Sequence, residues 1–175
     1  MNQWDKQAID GYRFFCRTFL PTVTKRLDCA DLAIYTLCKF AEKEHLPLQF
    51  RYGSNTILAY DPEIDNIEPF LTKARAVLGT YNLLDDRNTV ALPVAMAMPG
   101  DMLITDRHLP PPRIGTHTRV LQSRDESDKW LFFAGDYPPT HAPRPGTVRN
   151  ISAMSHFAGV RRWRFENFTF QHTND

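Results

Sequence analysis

The protein has 175 residues, of which 42% are hydrophobic and 23% are charged, an ordinary composition for a soluble globular protein. Its 21 Lys and Arg residues nearly balance 20 Asp and Glu, and this net charge of +1 argues against a nucleic-acid-binding protein, which usually carries a larger basic excess. No apolar run approaches the ~20 residues that a membrane helix needs, so we expect no membrane span.

Helical signals come before strand signals along the chain. Apolar side chains at helical spacing predict helices over 3–19, 28–45 and 66–79. Residues 48–61 have the pattern of a short strand and turn, and the hydrophobic stretch 90–98 is expected to lie in the core. Further strands are predicted over 102–105, 117–122, 130–135, 147–153 and 160–170. Helices followed by an antiparallel sheet predict an α+β fold, in a single domain over residues 1–175.

Cys29 is predicted at the first turn of the strongest helix. Asp28 before it is a natural N-cap residue, so the helix begins at the cysteine. The free N–H groups and the helix dipole at this end favour a thiolate, which is the nucleophilic form of cysteine. Position alone also permits a small, buried, inert residue, the commonest fate of a free cysteine. Cys16 and Cys38 lie within helices and are predicted to be structural.

A catalytic cysteine needs a base, and His117 is the best placed of the six histidines because it opens a predicted strand. If the turn of the following hairpin centres between Glu126 and Ser127, His117 lies opposite Asp136. A carboxylate there would orient the imidazole and stabilise its charged form. The alternative is that Asp136 only begins the proline-rich turn, as Asp often does. The remaining histidines are predicted in a helix end, in irregular segments or in the tail: His45, His108, His141, His156 and His172.

Three motifs occur in the order found in a known family. LDCADLA (27–33), PGDMLI (99–104) and HTRVL (117–121) resemble the helix start, the GD strand and the histidine strand of papain-like amidohydrolases of the NlpC and CHAP type. The resemblance implies a papain-like core, in which a nucleophile-bearing N-terminal helix packs on an antiparallel β-sheet. It also implies a triad of Cys29 as nucleophile, His117 as base and Asp136 as third member. The family's common Ser-Gly after the cysteine is replaced here by Ala30-Asp31, and residues 48–98 leave room for a cleft-shaping insertion.

The resemblance implies a cysteine amidase or endopeptidase that cleaves amide bonds in peptidoglycan stem peptides through a thioester. None of the three cysteines is in a CxxC pair, so we expect no structural zinc, and we expect no cofactor. The chain is similar to antibacterial effectors of type VI secretion, which implies secretion machinery and a cognate immunity protein as partners. Residues 1–20 lack the regions of a signal peptide. We therefore expect synthesis in the cytoplasm and specialised export to the periplasm of target bacteria. The alternatives are a cysteine protease, deamidase or acyltransferase acting on proteins, and a non-catalytic binding module.

Five arginines occur between residues 144 and 164 without an acidic residue among them: Arg144, Arg149, Arg161, Arg162 and Arg164. This stretch permits a basic patch that attracts carboxylate-rich peptides, a nucleic-acid-binding surface with stackable aromatics, or a solvated strand face. The alternation of Arg162 and Arg164 with aromatic residues favours the solvated strand face.

Overall fold

Helices begin the described part of the chain in the computed structural model, which describes residues 2–106 and 116–169. The four helices of these residues are α1 (Lys6–Phe19), α2 (Cys29–Glu44), α3 (Ile67–Val77) and the short α4 (Thr80–Leu83). The three longer helices confirm the predicted ones. Each begins where an Asp or Asn side chain accepts a hydrogen bond from a backbone N–H of the first turn, the N-cap arrangement that such residues favour.

Strands make up two antiparallel sheets in the described residues. A hairpin of β1 (Leu48–Tyr52) and β2 (Thr56–Tyr60) stands apart from a six-stranded sheet of order β3-β8-β4-β5-β6-β7. The strands of the larger sheet are β3 (Thr89–Leu92), β4 (Met102–Asp106), β5 (Thr116–Arg124), β6 (Trp130–Ala134), β7 (Arg144–Val148) and β8 (Phe157–Trp163). All of its pairs are antiparallel, so the predicted α+β class is confirmed.

Two expectations from the sequence are wrong, one about the strand over 147–153 and one about the burial of residues 90–98. The strand predicted over 147–153 is β7, which ends at Val148, and a short 3-10 helix follows it at Ile151–Ala153. The segment 90–98 is not core, because β3 is an edge strand and both Met96 and Met98 are exposed. Of this segment only Ala97 is buried.

The six-stranded sheet is apolar on both faces. The face that we call the helix face presents Met102, Ile104, Val120, Phe133 and Trp163 to the core shared with α1, α2 and α3. The opposite face, called here the outer face, presents Leu103, Leu121, Trp130 and Val160 to a second, smaller cluster. Neighbouring residues of a strand alternate between the two faces, as the pleat requires.

Two of the C-terminal arginines form ion pairs with carboxylates from distant parts of the chain. Arg161 Nη2 lies 2.6 Å from Asp86 Oδ1, and Arg162 Nη2 lies 2.8 Å from Oδ2 of the buried Asp101. Burial raises the pKa of the Asp101 carboxyl, and Arg162 beside it opposes that rise. The side chains of Arg161 and Arg162 are only 8% and 18% exposed, so the prediction of a solvated strand face is wrong for both. Since their charges are paired within the fold, they do not favour nucleic-acid binding either.

No helix in the ranges 2–106 and 116–169 combines the length and the apolar character needed to cross a membrane.

The packing of α2 predicts the effect of a cavity. Leu37→Ala removes a fully buried side chain of α2 and should lower the free energy of unfolding by ~2–5 kcal/mol, measured by urea denaturation. Ile64→Ala, in an exposed turn, is the control and should change it by no more than ~0.5 kcal/mol. Equal losses for the two variants would contradict the position of α2 in the core.

Candidate active site

Cys29 is the first residue of α2, as predicted, and its thiol lies against the hydroxyl group of Thr80. Asp28 forms the N-cap, and its Oδ1 accepts a hydrogen bond of 2.7 Å from the N–H of Asp31. Cys29 is 7% exposed, and its Sγ lies 3.7 Å from Oγ1 of Thr80. That hydroxyl lies 3.2 Å from Oγ1 of Thr118, so a polar chain runs from the thiol to β5.

The two threonines were not predicted as site residues. Thr80 begins α4, inside the segment 48–98 that the sequence leaves as an insertion, and Thr118 is part of the HTRVL motif. A short helix begins at Thr80, directly after Gly79, and such a helix start is a local feature of the sequence. The contact of Thr80 with Cys29 is not local, because the two residues are 51 positions apart in the chain. The role of 48–98 in shaping a cleft stays a prediction, although this segment supplies one neighbour of the thiol.

The head of α2 can bind a negative charge. The first turn of an α-helix has N–H groups without intrahelical acceptors, and the dipole adds a positive potential there. The Asp28 carboxylate accepts a hydrogen bond from the N–H of Asp31, which is the third residue of the helix. The Asp31 carboxylate is paired with Arg75, whose Nη2 lies 2.9 Å from Oδ2. Burial raises the pKa of the Asp31 carboxyl, and the hydrogen bond from Arg75 works against that rise.

His117 lies on β5, as predicted, but on the outer face of the sheet. The register of β4 with β5 is unbroken from Met102↔Val120 to Asp106↔Thr116, so the alternation of β5 side chains is regular there. Thr118 contacts Thr80 on the helix face, and Arg119 contacts Thr105 and the ring of Phe132 on the outer face. His117 is two residues before Arg119 on this regular strand, so its side chain lies on the same outer face. The structure therefore does not bring His117 and Cys29 together.

Asp136 follows β6 and contacts a different histidine. The predicted hairpin register holds at Val120↔Phe133, the last pair of β5 with β6, and β6 itself ends at Ala134, before Asp136. The Asp136 carboxylate Oδ2 lies 2.5 Å from Nε2 of His141. The proposed pairing of Asp136 with His117 stays a prediction, whereas the contact with His141 is present in the structure.

The other two cysteines belong to the hydrophobic core. Cys16 and Cys38 are fully buried, as predicted for structural residues. Burial raises the pKa of the Cys16 thiol to about 12, and it also raises the pKa of the Cys38 thiol. His108 and His172 lie outside the described residues.

Comparison with known proteins gives no match: no family model, no curated protein and no solved structure is similar to the chain. The resemblance to papain-like amidohydrolases thus rests on the three motifs.

The burial of the three thiols predicts selective alkylation. At neutral pH iodoacetamide should modify Cys29 faster than Cys16 or Cys38, because only the thiolate reacts and burial keeps the other two thiols protonated. Peptide mass spectrometry after short exposures measures the three rates.

Unfolded protein is the control for the alkylation, and all three cysteines should react at similar rates in it. If Cys29 of the folded protein reacted as slowly as Cys16 and Cys38, an accessible nucleophile at the head of α2 would be ruled out.

Proposed function

We propose that the protein is a cysteine amidase that hydrolyses amide bonds in the stem peptides of bacterial peptidoglycan. The observation that carries the proposal is the position of Cys29 at the first residue of a long helix that packs on an antiparallel sheet. This position provides a nucleophile and backbone N–H donors within one helix turn.

The chemistry follows from that geometry. The thiolate of Cys29 attacks the amide carbonyl carbon, and the negative charge that develops on the oxygen is stabilised by N–H groups at the head of α2. A general acid gives a proton to the amine as the C–N bond breaks, and a thioester remains on Cys29. Water then hydrolyses the thioester and restores the thiolate. No metal or cofactor takes part in this sequence.

Three motifs support the choice of substrate. LDCADLA lies at the start of α2, and PGDMLI lies in the turn that enters β4. HTRVL lies in β5, the strand next to β4. By the same resemblance we propose an antibacterial effector, made in the cytoplasm and exported by a specialised system. Its partners would be the secretion machinery and an immunity protein, and its site of action the periplasm of target cells.

A second candidate is a non-catalytic binding module. It is favoured by the burial of Cys29, at 7% exposure, and by the position of His117 on the outer face. In this case Cys29 is a packing residue with a hydrogen-bonding contact to Thr80, and slow alkylation of the folded protein is the expected result.

Digestion of purified sacculi tests the proposed function. The wild type should release soluble peptide fragments with new amino and carboxyl ends, detected by mass spectrometry. Cys29→Ala should lose the activity at least ~10³-fold, because no other group in the proposed mechanism forms the thioester.

Cys38→Ala is the matched control, since it removes a thiol that is buried in the same helix. Circular dichroism checks that each variant is folded. If Cys29→Ala released fragments as fast as the wild type, the proposed mechanism would be wrong.

A further inference from the structure

We propose that the Asp136–His141 pair, and not His117, is the acid–base group that acts with Cys29. This inference rests on the proposed function and identifies the residue that handles the proton in that reaction. It follows from three features of the structure: the face on which His117 lies, the packing of the chain after β6 against the head of α2, and the contacts of the His141 ring.

The first feature excludes the partner that the motif indicates. A base must reach the nucleophile within hydrogen-bond distance in the reacting complex. Thr118 takes the helix-face position on β5, in contact with Thr80, which in turn contacts Cys29. His117, one residue away, belongs to the outer face, and the thickness of the sheet separates the two faces.

The second feature places the chain that leads to Asp136 beside the residues that enter α2. A Cβ atom on Gly135 would lie 2.1 Å from the carbonyl oxygen of Leu27 and 2.5 Å from that of Asp28. Only glycine permits so close an approach, so the backbone after β6 lies directly on the residues that enter α2. Asp136 is the next residue, about 3.8 Å further along the Cα trace.

The third feature is the pair of contacts that the His141 ring makes. Nε2 lies 2.5 Å from the Asp136 carboxylate, and Nδ1 lies 2.8 Å from the carbonyl oxygen of Ala142. The Asp136 carboxylate and the Ala142 carbonyl are both acceptors, so each ring nitrogen of His141 faces a group to which it can donate a hydrogen bond. Asp136 and His141 are 50% and 25% exposed, so a substrate can approach the pair.

In the proposed reaction, Cys29 acts as a thiolate and His141 as an imidazolium that gives up a proton and later takes one back. Cys29 attacks as the thiolate, the C–S bond forms, and the carbonyl π electrons move to oxygen. When the C–N bond breaks, the leaving amine takes the Nδ1 proton of His141, which turns from the Ala142 carbonyl. Neutral His141 then accepts one proton from the attacking water, and the thioester C–S bond breaks to restore the thiolate beside the imidazolium. The carboxylic acid product leaves and loses its remaining proton to solvent.

Histidine and aspartate variants of the full chain test the assignment on sacculi. His141→Ala should lower kcat by about 10²-fold or more, the range of general acid–base catalysis, and Asp136→Asn should also lower it. His117→Ala should keep kcat within about threefold of the wild type, because it lies on the other face. The pH profile adds a mechanistic readout: His141→Ala should lose the limb on which the rate falls with rising pH, since the acid must be protonated.

The outcomes separate this inference from the proposed function. Loss of activity in His117→Ala with an active His141→Ala would overturn the inference and leave the proposed function intact. Full activity in both histidine variants beside an inactive Cys29→Ala would also overturn only the inference. Full activity in Cys29→Ala would overturn the proposed function. If His141→Ala does not fold, Asp136→Asn is the variant that tests the assignment. Wild-type activity and an unchanged pH profile in Asp136→Asn would contradict the role of the Asp136–His141 pair as the acid–base group.

Discussion

The packing of α2 against one face of β5 is the constraint on which the site depends. Val120 on the helix face contributes to the core that α2 shares, and Thr118 on the same face contacts Thr80 beside Cys29. Because side chains alternate along a strand, this packing decides which residues of HTRVL can approach the thiol. A shift of one residue in the register of β5 would exchange the side chains that lie on its two faces and bring His117 to the helix face.

The sequence predicts much of the secondary structure because the signals for it are local. Asp28 caps α2 where the cysteine begins it, and the hairpin register predicted from the turn holds at Val120↔Phe133. The face of β5 is not predictable in the same way. Val120 and Leu121 are both fully buried, in clusters on opposite sides of the sheet, so the polarity pattern of the strand does not say which side carries the helices.

Contacts between distant residues account for the remaining differences. Arg161 and Arg162 find their carboxylates in Asp86 and Asp101, more than sixty positions earlier, and no local pattern signals those pairs. The neighbour of Cys29, Thr80, is in a four-residue helix that periodicity cannot detect. Gly135 ends the strand predicted over 130–135, and no local pattern indicates that it lets the chain after β6 lie against the carbonyls of Leu27 and Asp28.

The outcome is a site built around the head of α2, with Thr80 and Thr118 on one side and the chain after β6 packed against its entry. The most direct test of this arrangement is cross-linking of Cys29 by a short bifunctional thiol reagent in two matched variants, Thr118→Cys and His117→Cys, with peptide mapping of the products. The account predicts a cross-link from Cys29 to position 118 and none to position 117. A cross-link to position 117 alone would contradict the account and return His117 to the face of the nucleophile.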